Sequence, residues 1–308
     1  MKEAYRQEML LMGNRFEVTV VTASQAEANY CIGKAVAEIK RIEELLSTYK
    51  ETSETNAINR NAGIAAVKVS AETLALIIRA NHISKITQGA FDLSYGSIDK
   101  RLWNFDRSMD CLPDKATAKS LVRLINYRNI ETNQEASTVF LKEVGMRIGF
   151  GGIGKGYAAE RAKQVLKELG IESGIVNASG DLTVWGTQPN GSAWTIGIAH
   201  PDAKQWPFSY FELKDGAVAT SGNYEKFVLI KGQKYSHTID PKTGYPITGI
   251  KSVTIMSPNA ELCDALATPV TIMGLDAGLH FVNQLGGVSC VIIDDHNRLY
   301  HSNNINLS

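Results

Sequence analysis

Three segments of the chain combine glycine or proline with ionisable side chains in patterns that suit phosphate binding, proton transfer and cation binding. The first runs from Gly149 to Lys155 and satisfies both the dinucleotide-binding pattern GxGxxG and most of a phosphate-binding P-loop. A P-loop needs Ser or Thr after its lysine, and here Gly156 stands there. The dinucleotide reading needs an acidic residue after the next strand, which ends in Asn177 instead.

What this glycine run does predict is a turn that leads into a helix N-terminus. Free backbone N–H groups and the helix dipole favour a phosphate there, and Lys155 adds a positive charge. A tight turn that only lets a helix pack closely against a strand is the alternative.

The second segment, from Tyr235 to Gly244, places His237 and Asp240 in a turn that contains Pro241. A histidine beside a carboxylate and a lysine can take a proton from a hydroxyl or stack on a planar ligand. Asp240 could equally be a turn residue that bonds its own backbone.

The third segment contains Asp264 and Thr268, followed by Pro269. Positions i and i+4 of a helix lie on one face, so a carboxylate and a hydroxyl could share one hard cation such as magnesium. The same spacing is common on solvated helices, which is the alternative. Because proline suits a first helical turn, Pro269 predicts that Asp264 lies near the start of its helix.

Three further segments put a polar residue in a turn of small residues, where backbone groups can approach a ligand. They are residues 89–92, 177–181 and 219–224. Each of them is equally compatible with ordinary turn chemistry.

Composition limits the classes of partner. The 308 residues contain 32 Lys and Arg against 32 Asp and Glu, so the net charge is zero. Such a chain has no bulk field to attract nucleic acid or an anionic membrane, and any bound anion must be met by local groups. The four cysteines lie singly, without zinc spacing, and are predicted to be reduced thiols. No signal peptide is visible, which predicts a cytoplasmic protein; a periplasmic or membrane-anchored one is the alternative if an export signal was removed.

Hydrophobic periodicity predicts the elements that position these segments. In the first half, we predict a strand at 16–20, a helix from Ser24 to about Ser47, no helix between 48 and 63, and a helix from about Ser70. In the middle, we predict a strand at 144–148, a helix at 155–169 and a strand at 174–176. Short strands separated by turns follow, with helices near 262–273 and 275–285.

This pattern indicates an α+β fold with mixed, largely antiparallel sheets and packed helices. No Pro/Ser-rich linker divides the chain, so residues 1–308 are predicted to form a single domain of two intimately packed halves.

Taken together and in order, these segments resemble the ApbE-type family of FAD:protein FMN transferases over nearly the whole chain. The segments that carry the resemblance are Met12-Gly13, Leu46 to Tyr49 with Ser53 and Asn59, Gly89 to Asp92, Gly152 to Tyr157, Asn177 to Asp181, Ala219 to Tyr224, His237 to Gly244, and Asp264 to Thr268.

The resemblance implies a magnesium-dependent enzyme that binds FAD, transfers FMN to a Thr or Ser hydroxyl of a partner flavoprotein and releases AMP. It implies that Asp264, Thr268 and the carbonyl of Gly152 ligate magnesium. The residues it assigns to FAD binding are Met12, Tyr49, Ala90, Phe91, Asp92, Lys155, Asn177, Thr220, His237 and Thr238. We take His237 as the general base and Asp240 as a residue that orients it.

The sequence departs from the family pattern at Gly149, where many relatives carry an FAD-contacting Asp, at Ser179, where they carry Gly, and at Pro269, where they carry Ala. Two alternatives share the same residues. One is a magnesium-dependent FAD pyrophosphatase in which water replaces the acceptor hydroxyl, and the other is an FAD-binding protein without catalysis.

Overall fold

An eight-stranded antiparallel sheet takes strands from both halves of the chain. In this computed structural model, the described residues are 2–98, 111–200, 203–222, 227–230 and 233–305. The strands are β1 Glu3–Leu11, β2 Asn14–Thr22, β3 Val67–Lys68, β4 Ile130–Asn133, β5 Thr138–Leu141, β6 Gly174–Ala178, β7 Asp181–Trp185, β8 Trp194–His200, β9 Ala203–Leu213, β10 Gly216–Gly222, β11 Phe227–Ile230, β12 Gln233–Ser236, β13 Ile250–Ser257, β14 Ser289–Asp294 and β15 Leu299–His301.

The order in the large sheet is β1-β2-β6-β7-β10-β13-β14-β15. A three-stranded sheet, β3-β5-β4, and two hairpins, β8-β9 and β11-β12, complete the described strands. The helices are α1 Gln25–Leu46, α2 Glu54–Arg60, α3 Ala71–Ile86, α4 Lys115–Leu121, α5 Gly154–Glu168, α6 Ala260–Met273 and α7 Leu275–Val282. All described strand pairs are antiparallel, so the predicted fold class is confirmed.

The two faces of the large sheet are covered by different elements. Neighbouring residues of a strand point to opposite faces. Ala217 belongs to the core shared with α1, α5 and α6, whereas Val218 packs with Trp194 and Ile196 of the β8-β9 hairpin. Small residues on α5, among them Ala158 and Ala162, are fully buried and let the helices approach closely. The sheet and helices therefore hold the ends of α5 and α6 in fixed positions.

Several predicted elements are confirmed by local chemistry. The side chain of Ser24 accepts a hydrogen bond from Glu27 N and caps α1, and Ser70 caps α3 in the same way through Thr73 N. The helix predicted at 155–169 is α5, and the strand predicted at 174–176 is β6.

Three predictions about elements are wrong. The polar stretch 48–63 contains α2, because Ser53 accepts a hydrogen bond from Asn56 N and starts a short helix. Residues 144–148 form no strand, because the side chain of Asn59 bonds both the N–H and the carbonyl of Ile148. Pro269 lies inside α6 rather than in its first turn.

No helix among the described ranges is long and apolar enough to cross a membrane.

Candidate functional site

The helices α5 and α6 touch at a point where only glycine fits. The N–H of Gly156 donates to Asp264 Oδ2 at 2.9 Å, and the N–H of Ala260 donates to Glu160 Oε1 at 2.8 Å. A Cβ atom at Gly156 would lie 2.1 Å from the carbonyl oxygen of Ala260. The sequence GKG at the start of α5 therefore brings Lys155 and Asp264 together.

Lys155 is clamped between two buried carboxylates. Its Nζ lies 2.7 Å from Asp181 Oδ2 and 3.5 Å from Asp264 Oδ1. Asp181 and Asp264 are only 5% and 6% exposed. Asp181 opens β7, which pairs with β10. We call Lys155, Asp181 and Asp264 the buried cluster. With one cation and two carboxylates, it carries one net negative charge when all three are ionised.

The pKa values of this cluster follow from burial and mutual charge. Burial alone would lower the pKa of Lys155, but the carboxylates of Asp264 and Asp181 outweigh it, so the pKa is raised and the ammonium stays charged. Burial, followed by repulsion from Asp264, raises the pKa of Asp181 to about 7, although Lys155 opposes the rise. A further cation near the two carboxylates would relieve this repulsion.

The donor chemistry fits a hard divalent cation. Asp181 Oδ2 is buried and accepts no hydrogen bond of normal geometry, despite the nearby ammonium of Lys155. Among the described residues, no hydrogen bond occupies the Thr268 hydroxyl on the same face of α6 or the carbonyl of Gly152, two residues before α5. Carboxylate, hydroxyl and carbonyl oxygens are the ligands that magnesium prefers. Over the described ranges, no group of three His, Cys, Asp or Glu residues forms an alternative metal site.

The N-terminus of α5 offers less to a phosphate than the sequence predicts. Its N-cap, Ile153, makes no side-chain hydrogen bond. However, the N–H of Gly154 already donates to Phe150 O, and that of Gly156 donates to Asp264. Only the N–H of Lys155 has no partner within the described part of the first turn. The expectation of several free N–H groups is therefore corrected to one, because the neighbouring helix supplies a carboxylate.

Two predicted FAD-binding residues border the glycine run. Met12 and Gly13 form the β1-β2 turn with φ of 51° and 69°, which both residues of a type I′ hairpin turn require. This turn brings the Met12 side chain to 3.8 Å from the Cβ position of Gly154. The ring of Phe91 lies 3.6 Å from the Cβ position of Gly152. Both side chains are thus in position to contact a ligand that lies along the glycines.

The neighbouring predicted residues differ in exposure. The ring of Tyr49 is 96% exposed, which suits stacking on a planar ligand, whereas Ala90 is buried. Asp92 caps a short 3₁₀ helix: its carboxylate accepts from the N–H and hydroxyl of Ser94 and from Tyr127 N. Burial raises the pKa of Asp92. Its carboxylate thus holds the 89–92 segment in place.

Residues 177–181 form the β6-β7 hairpin beside the cluster. Asn177 Oδ1 accepts from Gly180 N at 2.8 Å, which closes the turn. Ser179 has φ of 56°, so it adopts the left-handed conformation that glycine would adopt more easily. The hydroxyl of Thr220 bonds that of Thr254 across the sheet. Asn223 and Tyr224, the end of the predicted 219–224 segment, lie outside the described residues.

The segment that carries His237 and Thr238 is a separate region. His237 is exposed, whereas Thr238 is buried with its N–H on Ser236 Oγ. Both carboxylate oxygens of Asp240 accept hydrogen bonds from its own turn, from Lys242 N and from the Thr243 hydroxyl. Asp240 therefore stabilises its own turn, which is one of the two roles that the sequence left open, and its role in orienting His237 stays a prediction.

The structure thus joins Lys155 to Asp264 and places Gly152 and Thr268 on the two adjoining elements. It adds Asp181, which the sequence marks only as the end of a turn motif. An aspartate that directly follows the turn residues Asn177 to Gly180 and precedes an apolar strand was the available sequence signal for this residue.

The fold and the site together define a protein with an antiparallel sheet and packed helices, in which Lys155, Asp181 and Asp264 form a buried charged cluster. Residues 12–292 match the model of the ApbE family, and the chain belongs to this family. The chain is 29% identical to the FAD:protein FMN transferase of Treponema pallidum over 94% of this chain and 84% of the relative. It is 28% identical to an FAD:protein FMN transferase of Klebsiella pneumoniae over 94% of this chain and 89% of the relative.

Solved structures agree in fold. The ApbE protein of Thermotoga maritima is 30% identical, with a TM-score of 0.86 over 98% of this chain and 97% of that one. The flavin transferase ApbE of Vibrio cholerae is 24% identical, with a TM-score of 0.85 over 98% of both chains.

Proposed function

We propose that this protein is an FAD:protein FMN transferase, which moves FMN from FAD to a Thr or Ser hydroxyl of a partner flavoprotein and releases AMP in a magnesium-dependent reaction. The observation that carries the proposal is the buried cluster, whose excess negative charge suits a divalent cation beside a lysine. Relatives of that name cover most of the chain.

Each group of residues has a physical role in this proposal. Asp264, Thr268 and the carbonyl of Gly152 would hold magnesium, which polarises the phosphorus under attack and neutralises diphosphate charge. Lys155, fixed by two carboxylates, binds a diphosphate oxygen without having to reorient. Met12 and Phe91 contact the ligand from the sides, and the exposed ring of Tyr49 stacks on one of its planar groups.

His237 is the proposed base. An exposed ring nitrogen can take the proton of the acceptor hydroxyl while the hydroxyl oxygen forms a bond to the phosphorus of the FMN half. The bond between the two phosphates breaks, and AMP leaves with its electron pair. Asp240, whose carboxylate is held by hydrogen bonds within its own turn, would orient His237 by fixing the turn that follows it.

The test uses the protein with FAD, MgCl2 and a flavoprotein domain that carries a candidate Thr or Ser. We expect covalent flavin fluorescence on the acceptor in a denaturing gel, together with one AMP for each flavin attached. FAD binding without covalent flavin would contradict the proposal. AMP release at the same rate without an acceptor would instead identify an FAD pyrophosphatase, for which the exposure of His237 to water is the favouring observation.

His237→Ala separates transfer from binding. We expect a loss of at least about 100-fold in the transfer rate, because a positioned base contributes that much, with FAD affinity within a few-fold of wild type. Unchanged turnover in His237→Ala would show that His237 is not the base. FAD binding without turnover in the wild-type protein would indicate a carrier protein.

A further inference from the structure

A cleft of about 290 Å³ lies next to the His237 segment but is lined by residues that the proposed transfer does not use, apart from Asp92. Its walls come from Gln88, Gly89 and Asp92, from the end of α4 and the chain after it, and from Pro241 and Lys242. We call it the basic cleft. Four of its lining residues are cations: Lys119, Arg123, Arg128 and Lys242.

These cations outnumber the one carboxylate of the cleft lining, Asp92, with which Arg128 interacts electrostatically. All four are exposed, and no ion pair with a described carboxylate involves any of them. The Nζ of Lys119 donates to the carbonyl of Lys242 at 2.5 Å, and Arg128 lies over the ring of Tyr127. The one carboxylate in the lining, Asp92, is buried and holds three donors of its own. In a chain of zero net charge, this is a local excess of positive charge.

The cleft is built into the same unit as the His237 segment. A Cβ atom at Gly244 would lie 2.0 Å from the carbonyl oxygen of Ala118, so the turn is pressed against α4. The hydroxyl of Tyr245 donates to Pro113 O at 2.9 Å, and Ile239 is buried against Leu121 and Val122. These contacts fix the distance between the cleft and the proposed base.

The distance is short enough for one peptide segment to reach both. Pro241 is four residues from His237, and four residues span at most roughly 14 Å even when fully extended. A ligand chain of a few residues that occupies the cleft can therefore place a hydroxyl at His237.

Exposed cations around a cleft attract a solvated anionic partner over a distance of about a Debye length and fix its orientation. The anion of FAD already has its own partner, because Lys155 is held at the buried cluster. We infer that the basic cleft binds an acidic segment of the acceptor protein, adjacent in sequence to the Thr or Ser that receives FMN. This inference rests on the proposed transfer function.

The test reverses charge inside and outside the cleft. Arg123→Glu with Arg128→Glu changes two cleft residues, neither of which is assigned to FAD or catalysis. Lys34→Glu with Lys40→Glu makes the same change in net charge on exposed positions of α1 and is the matched control. Arg123→Gln with Arg128→Gln removes the charge without reversing it and checks that the local fold persists.

The kinetic readout is the acceptor KM in FMN transfer, measured beside the Kd for FAD. We expect the Glu pair to raise the acceptor KM at least 10-fold, the Gln pair to raise it less, and both to leave the Kd for FAD within 2-fold of wild type. The α1 control should keep both values within 2-fold. An unchanged acceptor KM, or a loss of FAD affinity in place of it, overturns the inference.

A second readout does not depend on transfer. A fluorescein-labelled peptide with four Asp residues around one Thr, and its Asn counterpart, are titrated with wild type and with each variant. We expect wild type to bind the Asp peptide at least 10-fold more tightly than the Asn peptide, with a preference that weakens as salt rises, and the Glu pair to lose it. Equal binding of both peptides contradicts the cleft assignment even if FMN transfer itself is absent.

Discussion

The buried cluster and the His237–Gly244 segment differ in burial and in how their charged side chains are held. Lys155, Asp181 and Asp264 are buried and hold one another, so their positions are set before any ligand arrives. In the other region His237 and Lys242 are exposed, and the carboxylate of Asp240 is held by its own turn. The first region suits a small, highly charged ligand that is always the same. The second suits a macromolecular partner that must approach from solvent.

Asp264→Ala should have the largest effect, because it removes a carboxylate of the buried cluster. It removes a proposed magnesium ligand and also the acceptor of Gly156 N–H. We expect the rate of FMN transfer to fall about 1,000-fold, which corresponds to the several kcal/mol that a metal contributes to such a transition state. The rate is measured as a function of MgCl2 concentration. Half-saturation at the wild-type magnesium concentration would show that Asp264 is not a ligand. Asp264→Asn keeps an acceptor for Gly156 N–H and serves as the control for helix packing.

Gly156→Ala tests whether the geometry of the buried cluster depends on the close contact of α5 and α6. Its Cβ atom would meet the Ala260 carbonyl, so the helices must separate, at a cost of about 3 kcal/mol in the free energy of unfolding. Gly151→Ala is the matched control, because nothing lies within 4 Å of its Cβ position. Urea unfolding of both variants gives the difference. Equal stability of the two variants would mean that the contact is not required.

Gly244→Ala makes the corresponding test in the exposed region. Gly244 and Gly249 both have positive φ, at 77° and 88°, so alanine strains the backbone at either position by about 1 kcal/mol. Only at Gly244 does the Cβ atom also meet α4, through the carbonyl of Ala118. We expect Gly244→Ala to reduce FMN transfer about 10-fold with FAD affinity kept, and Gly249→Ala to leave transfer within 2-fold. Loss of FAD affinity in Gly244→Ala would show that the His237–Gly244 segment and the buried cluster do not act independently.

Asp181→Asn should have the smallest effect and one that depends on pH. The pKa of Asp181 is about 7 in the folded protein, against about 3.9 when unfolded. Between these values the folded state holds a proton that the unfolded state has lost, so the free energy of unfolding of metal-free wild type decreases as pH rises from about 4 to about 7.

The Asn variant cannot titrate at this position. At pH 8 without metal, we expect it to be more stable than wild type by about 1–2 kcal/mol, with the advantage gone near pH 4. Magnesium should then stabilise wild type more than the variant. Thermal unfolding with and without MgCl2 measures both effects, and a variant that is less stable than wild type at pH 8 would show that Asp181 is held without strain.

The sequence predicted the long helices and strands such as β2 and β6, because an apolar period of two or 3.6 residues is a local property, but it did not mark β1, β7, β10 or β15 of the large sheet. It failed where side chains replace regular backbone pairing. The side chain of Asn59 bonds the backbone N–H and carbonyl of Ile148, 89 positions further along the chain, so the apolar run at 144–148 forms no strand. Ser53 starts α2 in a segment whose composition disfavours helix.

The site divides in the same way. Lys155, Asp264 and His237 lie in sequence motifs that mark them as candidate functional residues. Asp181 becomes visible as part of the cluster only when β7 is placed beside α5, because an ion pair between distant residues leaves no periodic trace in sequence. The basic cleft is likewise assembled from segments that are far apart in the chain.

The most direct test of the two-region account is the magnesium-dependent Kd for FAD, measured by flavin fluorescence for wild type, His237→Ala and Asp264→Ala. We expect His237→Ala to keep the magnesium-dependent part of the FAD affinity and Asp264→Ala to lose it. The reverse result, in which Asp264→Ala keeps that part and His237→Ala loses it, would contradict the account.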